Sequence, residues 1–114
     1  LGSHLIQINP YDKRMSIKIE GLFSEHDWTE LLQSYKDNRS LISPQSYNIE
    51  LDCLSFPLQS DYQWHLLERC YNFFNSESFQ QISFITNQSK QHIDHSFRHA
   101  ALNEQFANLQ WREV

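Results

Sequence analysis

The residues best able to do chemistry in this 114-residue chain are the pair Ser60 and Asp61, three closely spaced histidines, two cysteines and two neighbouring carboxylates. Ser60 and Asp61 follow the apolar segment Tyr47 to Leu54 and open a helical pattern, so either is a natural N-cap. A helix start beside a strand end offers unsatisfied backbone N–H groups that favour negative charge, and open α/β sheets commonly bind ligands and partners at that edge. His95 and His99 are spaced i, i+4, which turns two imidazoles toward one metal, and His92 lies one turn earlier. Zinc or nickel binding is one reading of the three; a solvated helix face is the other, because Ile93, Phe97 and Ala100 account for the apolar side. His26 and His65 stand alone in sequence and suit a helix surface or a packed boundary. Cys53 sits in an apolar strand pattern and Cys70 in a helical one. Both read as reduced, packed thiols, and no C-x-x-C is present. Glu50 and Asp52 share a strand face at i, i+2, a weak pattern for acid/base work.

Larger catalytic signatures are missing. There is no G-x-S-x-G, H-E-x-x-H, P-loop or G-x-G-x-x-G, and only two glycines occur, so a glycine-rich phosphate cradle is excluded. Nine basic against fourteen acidic residues give a net charge of −5 without a basic cluster, which argues against nucleic acid. No apolar run approaches the ~20 residues of a membrane span, and the expectation is a soluble, cytoplasmic protein with no cofactor. A hydrophobic fraction of 39% with 14% aromatics suits one globular domain. Leu1, Gly2, Ser3 and His4 resemble an expression-tag remnant, which leaves residues 5–114 as the domain and sets His4 aside.

These groups must be positioned by a few elements. Leu5–Ile8 and Met15–Leu22 alternate as strands around turn residues at Asn9–Asp12, which predicts a β-hairpin. Ser24 with Asp27 three residues on is a capping-box analogue, and Trp28, Leu31, Leu32 and Tyr35 follow at helical spacing. Asn48–Leu54 is a strand whose apolar density suggests two partly covered faces. A second helix runs from about Asp61 with Trp64, Leu67, Cys70, Tyr71 and Phe74 on its buried side. A third strand spans Gln81–Thr86, a third helix starts near Ser89, and Leu109–Val114 fits an edge strand. The fold class is therefore α/β in the order ββαβαβαβ: a mixed, mainly parallel sheet with an N-terminal hairpin and helices packed on it.

That order, with Ile17–Gly21 before the first helix, Ile49–Asp52 as central strand ahead of Ser60 and Asp61, and Ile82–Ile85 before a helix bearing Arg98, resembles the STAS domain. This family comprises bacterial anti-anti-sigma factors and the cytoplasmic domains of sulfate transporters, and the likeness covers Leu5 to Val114. In the family the central strand leads to an Asp-Ser or Asp-Thr-type pair followed by Gly, and a kinase phosphorylates the hydroxyl residue. Here the order is reversed and Gln63 replaces the Gly. Asp61 then stands at the phosphorylated position and supplies about one unit of the charge a phosphate would bring. Ser60 is the possible phosphorylation site, where a new phosphate would be repelled by Asp61.

The resemblance implies a non-catalytic, regulatory protein-interaction module without an intact family-type switch. Its docking surface would be the strand-loop-helix from Ser55 to His65, with Phe56, Ser60, Asp61, Tyr62, Trp64 and His65 as partner-binding residues; Trp64 is equally a core candidate. The implied partners are an ABC-transporter ATPase, as for the small STAS subunits of lipid-transport systems, or an anti-sigma kinase-like protein. The alternative function is metal binding through His92, His95 and His99.

Overall fold

The computed structural model describes residues 1–87 and 96–114. It comprises β1 (Ser3–Asn9), β2 (Arg14–Glu20), α1 (Glu25–Arg39), a short 3-10 turn at Pro44–Ser46, β3 (Asn48–Ser55), α2 (Asp61–Ser76), β4 (Ile82–Thr86), α3 (Ser96–Leu102) and β5 (Leu109–Glu113). The order is ββαβαβαβ, and the five strands form one sheet in their sequence order. β1 and β2 pair antiparallel; every other neighbour pair is parallel. The segment resembling a tag is built into this sheet: Ser3 pairs with Glu20, and His4 Nε2 lies 2.8 Å from Ser34 Oγ on α1.

Consecutive parallel strands laid side by side in one direction, with crossovers of one hand, place all their helices on one face. The side chains follow that division. The pairing aligns Ile6, Ile17, Leu51, Phe84 and Trp111 in one row across the whole sheet, and Ile8, Met15, Ile49, Ile82 and Leu109 in another. In β2 to β5 these residues are buried under the helices, and Ile6 and Ile8 are half-buried at the edge. The rows that alternate with them, Gln7, Ser16, Glu50, Ser83, Gln110 and Leu5, Lys18, Asp52, Ile85, Arg112, belong to the opposite face. The expectation of two partly covered faces on β3 is therefore corrected. Ile49, Leu51 and Cys53 are buried, while Glu50 and Asp52 alternate with them on a helix-free, polar face, as the two-residue pleat requires.

α1 begins where its capping signal lies. Ser24 Oγ accepts from the Asp27 N–H at 3.2 Å, and Asp27 Oδ2 accepts from the Ser24 N–H at 2.8 Å, a complete capping box. The same carboxylate oxygen accepts from the Gly2 N–H at 3.1 Å and so ties the chain preceding β1 to the helix. At the far end of α1 the Tyr35 hydroxyl donates to Glu77 Oε1 at 2.9 Å, and Arg39 Nε donates to the same oxygen at 3.1 Å. The Tyr35 ring packs among Phe73, Phe74 and Phe79. α1 and α2 are thus joined through one aromatic cluster and one carboxylate.

Backbone N–H donation, from Ser24 first and Gly2 second, with the Ser24 hydroxyl adding to both, holds the Asp27 carboxyl below its ordinary value. A carboxylate whose folded-state pKa is depressed contributes stability that is complete above its unfolded value, about 4, and is lost as pH falls through the folded value. Asp27→Asn should therefore lower the urea midpoint at neutral pH. The gap between wild type and variant should close as titration proceeds below about pH 4; a gap that stays constant with pH would remove Asp27 from the acid limb.

Candidate functional site

The C-terminal ends of β2 to β5 meet one edge of the sheet, and α2 starts there after the five-residue connection from β3. The connection is not loose. Phe56 N–H donates to Cys53 O at 3.1 Å, which turns the chain inward, and the Phe56 ring meets Phe23 edge-on at 5.7 Å. Leu58 is buried as well. Ser60 is the N-cap of α2, its hydroxyl accepting from the Gln63 N–H at 3.4 Å, and Asp61 is the acidic residue of the first turn. Both roles complement the positive end of the helix dipole.

The residues singled out between Ser55 and His65 divide sharply by burial. Asp61 is exposed over 71% of its side chain, and Tyr62 over 46% of its surface. Ser60 and His65 are also exposed, and His65 Nδ1 lies 3.5 Å from Glu68 Oε1. Phe56 and Trp64 are only 3% exposed and cannot anchor a partner. Phe56 is pinned by the inward turn. Trp64 lies on the stripe it shares with Leu67 and Tyr71, which the helix must bury. Tyr62 is the aromatic residue of this segment that faces outward.

Trp64 nevertheless shapes the site from beneath. Its ring stacks on Trp111 of β5 with centroids 5.4 Å apart and planes 20° apart, and the Arg98 guanidinium of α3 lies over the Trp64 ring at 5.1 Å from its centroid. Arg98 Nη2 reaches to 3.9 Å from Asp61 Oδ1. The first turn of α2 is thereby clamped to β5 and α3, while the Asp61 carboxylate stays in water. So exposed an ion pair contributes ~0–1 kcal/mol. Gln63, which stands at the family's Gly position, has an inward placement that this position alone does not reveal. It is buried, and neither atom of its amide meets a hydrogen-bond partner among the described residues. Its spacing from Leu67, Cys70 and Phe74 is the available signal, because that line faces the sheet.

The remaining candidates are dispersed. Cys53 and Cys70 are free and buried; burial holds the Cys53 thiol well above its ordinary value and pushes Cys70 up to about 12, so both stay protonated. Glu50 and Asp52 belong to the open face of the sheet, away from the helix layer: Glu50 Oε2 pairs with Arg112 Nη2, and Asp52 Oδ1 accepts from the Leu54 N–H at 3.0 Å. His92 and His95 lie outside the described residues. His99 is exposed on α3, with its ring Nδ1 3.4 Å from Asn103 Nδ2. Among the described residues, no three His, Cys, Asp or Glu side chains come together as a metal site. Nor is any helix among them long and apolar enough to cross a membrane.

What the edge presents to solvent is a capped helix start, an outward carboxylate and exposed apolar groups. Leu22 follows the end of β2, and Leu54 lies near the end of β3. Both are exposed, and the two strand ends are joined by a Gly21 N–H bond to Ser55 O at 3.0 Å. No protein-family model matches the chain, and no curated protein matches it.

A buried amide without a partner costs about 1–3 kcal/mol of desolvation. Gln63→Leu, similar in length and free of polar atoms, should therefore raise the unfolding free energy by about 1 kcal/mol in urea titrations. Equal or lower stability would show that the amide is satisfied in solution.

Proposed function

We propose that the chain is a STAS-like, non-catalytic interaction module that docks a partner protein through the edge formed by residues 55–65. The observation that carries the reading is the outward carboxylate of Asp61 beside exposed Tyr62, with Leu22 and Leu54 exposed at the same strand ends. An interface commonly combines an aromatic contact with apolar surroundings and a charge that fixes orientation. The order ββαβαβαβ, with Ser60 and Asp61 at the start of α2, supports the family likeness.

In this reading Asp61 takes the place of a phosphorylated hydroxyl and supplies a permanent negative charge at the helix N-terminus. Docking is then constitutive. Ser60 is engaged as the helix cap, and a phosphate added there would meet the neighbouring carboxylate. The complementary partner surface carries a basic group and an apolar recess for Tyr62. An ABC-transporter ATPase and an anti-sigma kinase-like protein are the partner classes that the family likeness suggests, in a bacterial cytoplasm.

Asp61→Lys reverses the charge of an exposed side chain and should leave the melting temperature within a few degrees of wild type. Capture of the partner from a host lysate, quantified by mass spectrometry, should fall roughly tenfold or more, equivalent to ~1.4 kcal/mol. Tyr62→Ala should weaken the same interaction. Undiminished capture by both variants would remove this edge as the docking surface.

A further inference from the structure

The two edges of the sheet are built differently. β5, at one edge, carries Arg112 and Glu113, the charges that ordinarily prevent a strand edge from pairing with another chain. β1, at the other, reads Ser3, His4, Leu5, Ile6, Gln7, Ile8, Asn9: it contains no Asp, Glu, Lys, Arg or Pro. Its seven residues pair with β2 in an unbroken register, without a bulge to twist the edge away. No strand pairs with its outer side among the described residues. In an antiparallel ladder alternate residues of an edge strand direct their N–H and C=O groups outward, so β1 offers a regular set of unfilled hydrogen-bonding positions.

We propose that β1 pairs antiparallel with β1 of a second copy of this chain, joining two five-stranded sheets into one. The strand is its own complement. A two-fold axis through its central residue, Ile6, sets Ile6 against Ile6, His4 against Ile8, Leu5 against Gln7 and Ser3 against Asn9. None of these pairs opposes like charges. Ile6 and Ile8, half-buried and packed against the core from within, become covered on their outer flank, and the helix-side apolar rows continue from one sheet into the next. Leu5, 55% exposed on the opposite face, gains a neighbour in Gln7 of the other copy. Cross-strand pairs of this kind are the unit by which sheets are stabilised. A charged peptide strand finds no ionic partner on β1 itself, which favours a second copy over such a segment.

The test is sedimentation velocity on the whole chain from low micromolar to several hundred micromolar concentration. Wild type should shift with concentration from the 13.7 kDa of one chain toward twice that mass. Leu5→Lys/Gln7→Lys, which places charges on two exposed positions facing each other across the two-fold, should stay at the mass of one chain with an unchanged far-UV spectrum. Hydrogen exchange on wild type supplies a readout independent of the variant: backbone amides within residues 3–9 should gain protection as concentration rises. Wild type at single-chain mass throughout would overturn the proposal. So would a dimer that survives both lysines, or one whose protection appears elsewhere, as expected if a different surface associates.

Discussion

The structure depends on one constraint, the two-residue pleat of a sheet covered by helices on a single face. Because the five strands run in sequence order, their pairing carries each pleat position across the entire sheet. Ile6, Ile17, Leu51, Phe84 and Trp111 form one continuous apolar row for the helices to cover. Gln7, Ser16, Glu50, Ser83 and Gln110 form the next row, on the opposite face. A shift of one residue in any parallel pair would turn a strand's apolar set away from the helices, so register is strongly specified. Parallel sheets are usually covered on both faces. Here the Glu50–Arg112 pair spans β4 on the open face, and polar side chains there take the place of a second helix layer.

The same constraint places the site. Parallel strands end at a common edge, and the connection leaving β3 must return to the covered face to begin α2. Phe56 and Leu58 bury themselves during that return, so the cap at Ser60 is reached from a fixed position. Trp64 then locks the first turn against Trp111 and Arg98. The buried support and the exposed groups come from alternate directions of one helical turn: Gln63 and Trp64 inward, Asp61 and Tyr62 outward. Gln63 places a polar amide on the inward side, where the edge is held.

Much of this is legible in the sequence. Ser24 and Asp27 mark the start of α1 because a capping box is local chemistry, and Ser60 marks α2 for the same reason. The ββαβαβαβ order follows from periodicities that change between two and three to four residues. The open face is less legible. Tyr47 and Leu54 extend the apolar density around β3 and suggest cover on both sides, although Leu54 continues the side of Glu50 and Asp52 and is exposed. Phe56 and Trp64 show the other limit. Proximity to a helix start says nothing about direction, and only the spacing of Trp64 from Leu67 and Tyr71 distinguishes an inward ring from an outward one. Long-range closure, such as Arg98 over Trp64 or Tyr35 on Glu77, has no local signature at all.

The most direct measurement of docking at the α2 edge is photocrosslinking in the host cell. A benzophenone amino acid is placed at position 62 in one protein and at position 110, on the open face of β5, in another. Docking through the helix start predicts a discrete adduct from position 62 and none from position 110. Adducts from position 110 alone, or the absence of any from position 62, would contradict it.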